Sequence, residues 1–546
     1  MAAFLSREGP DFPLRTQPRL PPQAHASGCL GSVHVPLYRA FRCNLDSIPV
    51  CGAVNCRMLD ISADVRPGSA TPVKPHGHEP LVIQGGMGAG VSAWLLARTV
   101  SAAGQLGVVS GTGIDTILVR RLQDGDPGGH MRRAMARFPI PGVAKRVLER
   151  FYLPTGRPAG QRYAALPMPD HRGSLRRDAI TVLGNFVEVF LAREGHDQPV
   201  GINYLTKIQA PTLPSLYGAL LAGVGYVLMG AGIPRDIPGA LDQLARHEAA
   251  ALKLEVLGGG EPPLLAFDPR GLWGDTPPPT LERPKFLAIV ASNLLATLLA
   301  RKANGRVDGF IVEGPTAGGH NAPPRGELKL DHKGEPIYGA RDVVDLAALR
   351  ELGLPFWVAG GAGSPHALCA ALAAGAAGVQ VGTLFAFCEE SGLEPGYRRG
   401  VLHDAREGHV RVRTDPRASP TGYPFKVVEA PSVPPLDDAR ERVCDVGYLR
   451  VAYRREDGRV GYRCPGEPVD QYVKKGGVPA DTVGRRCLCN TLLANIGLGQ
   501  LRADGRVERP LLTSGDDLVN IAAFVGDRDR YSAQDVLDYL LEGVTA

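Results

Sequence analysis

Eight short apolar runs, separated by helical segments, set the strongest limit on how this chain folds. Near-continuous apolar strands that alternate with helices are typical of a parallel sheet covered on its faces. Several of the runs end in glycine, including LVIQGG, YVLMGAG and PFWVAGG. The runs are residues 81–86, 106–113, 199–204, 226–232, 286–292, 308–314, 355–361 and 377–385.

The number of βα units predicts an α/β fold, a (β/α)₈ TIM barrel with large insertions and a C-terminal addition. We expect the insertions at residues 124–180 and 250–284, the second of which contains GGGEPPLLAFDP. An open, doubly wound sheet is the alternative. Eight units and glycine-ended strands favour the barrel.

Changes in composition divide the chain into three regions. Residues 1–78 are rich in Pro, Gly and Arg and are predicted to be a flexible N-terminal extension. Residues 79–404 carry the barrel. Residues 405–546 are polar and Arg-rich at first and end in SAQDVLDYLLEGV, so we expect a C-terminal subdomain, either a small separate unit or a cover on the barrel.

Charge and hydropathy argue against two classes of partner. The net charge is +5, from 61 basic and 56 acidic residues, and no block of five basic residues occurs. We therefore expect no nucleic acid and no membrane partner. The uncharged span 208–234 contains prolines and glycines, which favour helix, turn and buried strand over a membrane helix. A cytoplasmic location is predicted, and the oligomeric state stays open.

Eight of the ten cysteines fall into two groups outside the predicted barrel. Thiolates can bind metal ions, but neither group has paired CxxC spacing. Free cysteines are the alternative that we favour, and we predict no metal. The groups are Cys29, Cys43, Cys51 and Cys56 near the N-terminus, and Cys444, Cys464, Cys487 and Cys489 in the tail.

Glycine-rich loops follow the strands at the end of the barrel where function gathers. Loops without Cβ atoms let backbone N–H groups approach an anion. The last two strands end in AGGAGS and VGT, at the recurrent phosphate-binding positions of barrels, and Ser364 and Thr383 add hydroxyl donors. Tight barrel turns are the alternative. Two such loops favour a ligand that carries a phosphate.

The phosphate ligand is better explained by a flavin than by a nucleoside triphosphate. No GxxxxGK[ST] motif occurs, which excludes a P-loop NTPase. GGMGAG at 85–90 brings backbone beside a flat ligand, and Gln84 can reach ring heteroatoms. FMN lying across the barrel mouth fits these features.

Four segments together resemble the nitronate monooxygenase family, formerly called 2-nitropropane dioxygenases. The resemblance covers about residues 80–400 and further points to the larger bacterial subgroup near the reductase component of polyunsaturated fatty-acid synthases. The segments are VIQGGMGAGVSAWLLARTVSAAGQLGVVSGT, VEGPTAGGHNAP, WVAGGAGSP and GVQVGTLFAFCEES.

The resemblance implies a (β/α)₈ barrel with non-covalent FMN and a set of FMN-binding residues. His320 matches the family histidine proposed as the catalytic base. Glu313 is a further candidate, although a neutral residue is more usual at this position. With the loop residues above, the cofactor-binding candidates are Gln84, Gly85, Gly86, Met87, Asn203, Lys285, Glu313, Gly318, Gly319, Gly360, Gly361, Gly363, Ser364, Gly382 and Thr383.

His320 follows two glycines at the end of a buried strand, where a histidine suits removal of an acidic α-proton. A loop histidine that bonds backbone is the structural alternative. His130 also follows two glycines, but after a charged turn, so we interpret it as structural or substrate-adjacent. His76 and His78 precede the first strand and are expected to be solvated. No cysteine occurs between Cys56 and Cys369, which counts against an IMP dehydrogenase-like covalent barrel.

Three functions remain open on the sequence. The first is an FMN-dependent monooxygenase that oxidises alkyl nitronates or nitroalkanes with oxygen. The second is an FMN-dependent enoyl reductase that uses NAD(P)H on carrier-bound thioesters, which would add NAD(P)H to the small-molecule substrate as a partner. The third is a non-catalytic barrel subunit.

Overall fold

The computed structural model describes residues 79–435 and 440–544. The N-terminal extension, its four cysteines, His76 and His78 lie outside the described residues. Eight parallel strands close into a barrel, and each lies within one of the predicted apolar runs or overlaps it. The α/β barrel prediction is therefore confirmed.

The first half of the barrel contributes four adjacent strands. They are β1 (Val82–Gln84), β2 (Leu106–Ser110), β3 (Val200–Leu205) and β4 (Tyr226–Gly230). Three short strands follow in the second insertion: β5 (Ala250–Lys253), β6 (Val256–Leu257) and β7 (Leu264–Phe267). The barrel is completed by β8 (Lys285–Val290), β9 (Gly309–Glu313), β10 (Phe356–Ala359) and β11 (Gly378–Val381). Around the barrel the strand order is β1-β11-β10-β9-β8-β4-β3-β2.

Helices cover the outside of the barrel. The predicted helix, turn and strand over residues 208–234 are observed as α6 followed by β4. The helices up to residue 406 are α1 (Trp94–Ala102), α2 (Ile114–Gln123), α3 (His130–Met135), α4 (Val143–Phe151), α5 (Leu175–Arg193), α6 (Thr212–Leu221), α7 (Ile237–Ala245), α8 (Asn293–Lys302), α9 (Leu346–Arg350), α10 (Pro365–Ala373), α11 (Thr383–Ala386) and α12 (Pro395–Arg406).

Side chains alternate between the barrel interior and the helical layer, as they must in a strand. In β9, Ile311 belongs to a buried cluster drawn entirely from barrel strands, whereas Phe310 and Val312 belong to the larger cluster shared with the helices. The same alternation fixes which end residues face the barrel axis. The interior cluster is Ile83, Leu106, Val108, Tyr226, Leu228, Leu287, Ile311, Trp357 and Ala359.

The C-terminal region packs on the barrel and shares apolar clusters with it. Ala89 and Ile117 of the barrel cluster with Tyr448 and Leu493 of the C-terminal region. Its strands are β12 (Arg411–Asp415), β13 (Phe425–Glu429), β14 (Val451–Arg454) and β15 (Val460–Arg463), and its helices are α13 (Val469–Lys474), α14 (Leu488–Ala494), α15 (Ile521–Val525) and α16 (Ala533–Leu540).

Strand pairing also links the C-terminal region to the second insertion. β12 pairs with β13 and β14 with β15, both antiparallel. β14 additionally pairs in parallel with β6, so a three-stranded sheet combines strands of the second insertion and of the C-terminal region. Within the described part of the chain, no helix is long and apolar enough to cross a membrane.

Candidate functional site

A large cavity lies at the carboxyl ends of the barrel strands. Each of the eight strands, or the loop directly after it, contributes to its lining. Its other wall comes from the C-terminal region, including Phe425, Leu488 and Leu512. The cavity volume open to the centre of a water molecule is about 220 Å³. A single bound water needs roughly 10–15 Å³ by the same measure. The cavity therefore has room for a cofactor-sized ligand.

Most of the residues predicted from the sequence meet in this cavity. They come from loops far apart in the chain, and the closed barrel brings their strand ends together. The predicted residues that line it are Gly85, Gly86, Met87, Asn203, Glu313, Gly318, Gly319, His320, Gly360, Gly361, Gly382 and Thr383.

Gln84 and Lys285 are not brought to the cavity. Gln84 lies next to Ile83, which faces the interior, so its own side chain points away from the axis. There its Nε2 donates to Ser92 Oγ over 2.9 Å, and Ser92 Oγ accepts the N–H of Met87 over 2.9 Å. Gln84 thus supports the GGM loop from behind. Lys285 is the first residue of β8, at the opposite end of the barrel, and its Nζ lies 2.6 Å from Glu79 Oε1.

Gly363 and Ser364 stand just behind the cavity lining. The Ser364 hydroxyl caps α10 by accepting the N–H of Ala367 over 3.1 Å. A Cβ atom on Gly363 would lie 3.0 Å from a carboxylate oxygen of Asp517. Both residues shape the turn between β10 and α10.

This turn has the features of an anion cradle. Among the described residues, the N–H groups of Gly361, Ala362 and Gly363 meet no hydrogen-bond acceptor of the protein. Gly361 has φ 68°, which a residue with a side chain adopts only with strain. Free N–H donors at the start of a helix fit a phosphate group. These groups therefore fit an anionic ligand such as a phosphate group.

One carboxyl group lies beside this cradle and would repel an anion there if it were ionised. Asp517, from the C-terminal region, lines the cavity and accepts a hydrogen bond from the Thr383 hydroxyl. The N–H of Gly515 donates to Thr383 Oγ1 over 3.2 Å. Burial raises the pKa of Asp517 above the usual value, so a bound phosphate would favour its protonated form further.

The floor of the cavity is polar, unlike the apolar barrel interior below it. Asn203, Glu313 and Gln380 occupy inward-facing positions at the ends of β3, β9 and β11, and all three line the cavity. Gln380 Oε1 is buried, and it has no hydrogen-bond partner among the described residues. Such an orphaned acceptor is satisfied when a ligand donates to it, and this too fits a flavin ring.

His320 is held by contacts from the C-terminal region. Its Nε2 lies 2.7 Å from Ser419 Oγ, and its ring packs edge-on against Phe425 with centroids 4.9 Å apart. The N–H of Lys426 donates to Gly319 O over 2.9 Å and fixes the loop. Burial, with a smaller effect of the Lys207 charge, lowers the pKa of His320 to about 4. The imidazole is neutral near pH 7 and can accept a proton.

The second histidine that follows two glycines lies elsewhere. His130 begins α3, with Nδ1 3.1 Å from an Arg133 nitrogen and its ring centroid 5.0 Å from that of Trp94. It does not line the cavity. The two histidines therefore differ in position: only His320 follows a buried barrel strand and reaches the cavity.

Glu313 has an unusual environment for a carboxyl group. It is the last residue of β9, and no hydrogen bond or ion pair joins its side chain to another described residue. Burial raises its pKa to about 8. Near pH 7 it carries a proton.

Several cavity residues were missed by sequence reasoning. Gln380 was detectable in principle, because it alternates with apolar residues in GVQV. Asp517, Thr513, Phe425 and Tyr448 had no local signal, since they reach the cavity through packing of the C-terminal region.

The four tail cysteines are buried or half-buried, and they lie near one another, since Cys444, Cys464 and Cys487 all influence the ionisation of Cys489. Burial raises their pKa values, which keeps the thiols protonated. Across residues 79–435 and 440–544, no group of three or more potential ligand side chains has an arrangement that could hold a metal ion.

Comparison with known proteins supports the resemblance seen in the motifs. Residues 273–420 match the family model described as nitronate monooxygenase. This range includes AGGH, AGGAGS and VGT, whereas GGMGAG lies before it. The family resemblance is thereby confirmed for this part of the chain.

Individual relatives match shorter parts. A nitronate monooxygenase of Pseudomonas aeruginosa is 34% identical over 134 residues, which are 24% of this chain and 36% of the relative. A probable nitronate monooxygenase of Bacillus subtilis is 35% identical over 108 residues, 20% of this chain and 29% of the relative. The matches thus span about a third of these relatives.

Two solved structures resemble this chain weakly. FabK from Thermotoga maritima has a TM-score of 0.42 and 16% identity, with 85% of this chain and 93% of that chain covered. Nitroalkane oxidase from Streptomyces ansochromogenes has a TM-score of 0.42 and 17% identity, with 85% and 96% covered. These likenesses are too distant to bear on activity.

Proposed function

We propose, from the nitronate monooxygenase pattern of residues 273–420, that this chain is an FMN-dependent oxidoreductase that oxidises alkyl nitronates or nitroalkanes with molecular oxygen. One observation carries the proposal. A neutral His320 lines the same cavity as a cradle of free N–H groups. A proton acceptor and an anion site in one cavity are what a flavin-dependent nitroalkane oxidation requires.

The residues that would hold FMN follow from the cavity. The cradle at Gly361 and Gly363, with Gly382 and Thr383 beside it, would bind the phosphate. Gly85, Gly86 and Met87 would lie along the ring, with Gln380 as a polar contact. When bound, FMN would supply the redox chemistry, and the protein would position the substrate.

His320 would remove the α-proton of a nitroalkane. Its low pKa keeps the imidazole neutral, and Ser419 orients the ring through Nε2. With a nitronate, which has already lost this proton, the same ring would instead hold the substrate oxygens. The apolar wall from Phe425 and Leu512 would exclude water.

An FMN-dependent enoyl reductase that uses NAD(P)H on carrier-bound thioesters is the second candidate. One observation favours it: among the described residues, no Lys or Arg lines the cavity. A nitronate anion would therefore meet no basic side chain, whereas a neutral thioester carbonyl needs none. A catalytically silent barrel subunit is the third candidate.

The absorbance spectrum of the purified protein, followed by two anaerobic mixing experiments, separates the three. A flavin spectrum that NADPH leaves unchanged and a nitronate bleaches supports the monooxygenase. Rapid bleaching by NADPH supports the reductase. Protein that stays colourless after addition of FMN contradicts both enzyme functions.

A further inference from the structure

Glu313 ends β9 on the floor of the cavity. Register pairs it with Ala359 at the end of β10, and Val312 beside it pairs with Val290 of β8. Since Ile311 faces the barrel interior, Glu313 faces the axis as well, one layer higher. Its carboxyl group therefore rises from the apolar interior into the ligand space.

Nothing in the described chain partners this carboxyl group. The inward-facing residues nearest to it on the neighbouring strands, Ile289 and Ala359, are apolar. Two other buried acids are ion-paired: Asp115 with Arg177, and Glu188 with Arg121. An unpaired carboxyl group is expensive to bury in ionised form. Glu313 thus differs from the structural acids and is available to a ligand.

The other titratable groups of the cavity carry no positive charge near neutral pH. They are His320, Asp517, Tyr448 and Cys489. His320 is neutral because burial lowers its pKa, while burial raises the pKa of Asp517, Tyr448 and Cys489. Lys207 acts on His320 and does not line the cavity. None of these groups supplies a positive charge that would lower the pKa of Glu313 and favour its ionised form at neutral pH.

We propose that Glu313 is a substrate-binding residue whose protonated carboxyl group donates a hydrogen bond to an anionic oxygen of the substrate. The inference rests on the proposed function and deepens it. It explains how a cavity without Lys or Arg lining holds a nitronate: the anion is bound by a neutral donor. A carboxyl-to-carboxylate-type hydrogen bond is among the stronger ones.

The sign of the pH dependence follows from the pKa of about 8. Below that value Glu313 keeps its proton and the anion binds. Above it the donor is lost and a like charge replaces it, so affinity for an anion falls as pH rises. A neutral ligand of the same shape loses much less.

The test uses the flavin-loaded protein and two probes of equal size, propanoate and propanamide. Propanoate presents the same planar pair of anionic oxygens as a nitronate, is ionised throughout, and does not react. Calorimetric titration between about pH 6 and pH 10 should show propanoate affinity falling roughly 10-fold per pH unit above about 8, with propanamide nearly constant.

Glu313→Gln supplies the decisive variant, because the amide donates a hydrogen bond at every pH. Propanoate should bind it with no alkaline loss. Glu351→Gln, at an exposed helix end outside the cavity, is the matched control and should keep the wild-type profile. Propanoate binding by the wild type that is absent, or that does not change with pH, overturns the inference.

Two outcomes distinguish this inference from the function on which it rests. Protein that never binds FMN removes both. Protein that binds FMN, yet gives the same propanoate profile with and without Glu313→Gln, removes the role of Glu313 alone. If Glu313→Gln does not fold, infrared difference spectra of the wild type test the same proposal by following the protonation of the carboxyl group. A protonated-carboxyl band must then disappear over the pH range in which propanoate affinity falls, and absence of that band contradicts the proposal.

Discussion

At the scale of single residues, burial acts in opposite directions on two groups that the same strand and loop present. Glu313 and His320 are seven positions apart, and burial gives both of them a neutral form near pH 7. The site consequently contains one proton donor and one proton acceptor without net charge. Pairs of titratable groups shifted in opposite directions are typical of acid and base roles.

The base role of His320 predicts a selective loss of activity. His320→Asn should retain FMN but lower nitroalkane turnover by about 10²-fold or more, the scale of general acid–base catalysis. On the acid side, turnover of the wild type should decline as pH falls towards about 4, where the imidazole gains its proton. Steady-state rates with nitroethane test both statements.

His130→Asn is the matched control, since His130 also follows two glycines but lies outside the cavity. It should leave turnover unchanged. Equal turnover in the wild type and in His320→Asn would remove His320 from the base role.

Asp517 gives a prediction about the cofactor. Its carboxyl group lies beside the phosphate cradle, where a negative charge would repel a phosphate. Asp517→Asn should therefore tighten FMN binding by roughly 10-fold, about 1.4 kcal/mol, with the larger gain at high pH. Fluorescence titration of FMN measures the change.

Asp527→Asn, an exposed change outside the cavity, should not alter FMN affinity. Weaker binding by Asp517→Asn would mean that the carboxyl group supports the cofactor instead of opposing it.

At the scale of elements, the strands were predictable and their rotation was not. Strands of a covered parallel sheet are buried on both sides, so they appear as apolar runs that are easily found. The same burial hides which residues face the axis. Gln84 and Gln380 occupy similar positions in VIQ and GVQV, yet Gln84 faces the helices and Gln380 faces the cavity. Lys285 differs in another way: the family resemblance suggested it as a cofactor residue, but it is the first residue of β8 and lies at the end of the barrel opposite the cavity.

The turn between β10 and α10 tests whether backbone shape creates the phosphate site. Gly361 has positive φ, and a Cβ atom there would meet only Thr316 Oγ1 at 3.6 Å within 4 Å. Gly361→Ala should therefore strain the backbone by about 1–2 kcal/mol. It should also reorient the free N–H groups and weaken FMN binding by roughly 10-fold or more, since each hydrogen bond to a charged group contributes about 1.5–3 kcal/mol.

Gly408→Ala is the matched control for strain. Gly408 follows α12 with φ 71°, and a Cβ atom there would meet nothing within 4 Å. Both variants should lose similar stability in thermal unfolding, but Gly408→Ala should keep full FMN affinity. Equal FMN affinity in the two variants would contradict the cradle.

At the scale of the whole molecule, the C-terminal region completes the site. The sequence indicated an addition after residue 404, but its contacts are non-local, so no local pattern showed that it supplies Ser419, Phe425 and Asp517 to the cavity environment. The barrel strands and the glycine loops were predictable because each depends on a local stretch of the sequence. The cavity wall depends on residues brought together only by folding.

The last helix should therefore control both stability and cofactor retention. Leu537 in α16 is 1% exposed and belongs to the cluster shared with the barrel. α16 packs against α1, α10 and α11, and the last two begin at the cradle and at Thr383. Leu537→Ala should lower the free energy of unfolding by about 2–5 kcal/mol. Because the barrel and its cover share one core, unfolding should remain a single transition, with FMN released at the same temperature.

Asp538→Ala, on the exposed side of the same helix, is the control. It should change neither the free energy of unfolding nor that of FMN binding by more than about 0.5 kcal/mol. Calorimetry with simultaneous flavin fluorescence measures both. A separate, earlier transition that leaves FMN bound would show that the helix is independent of the site.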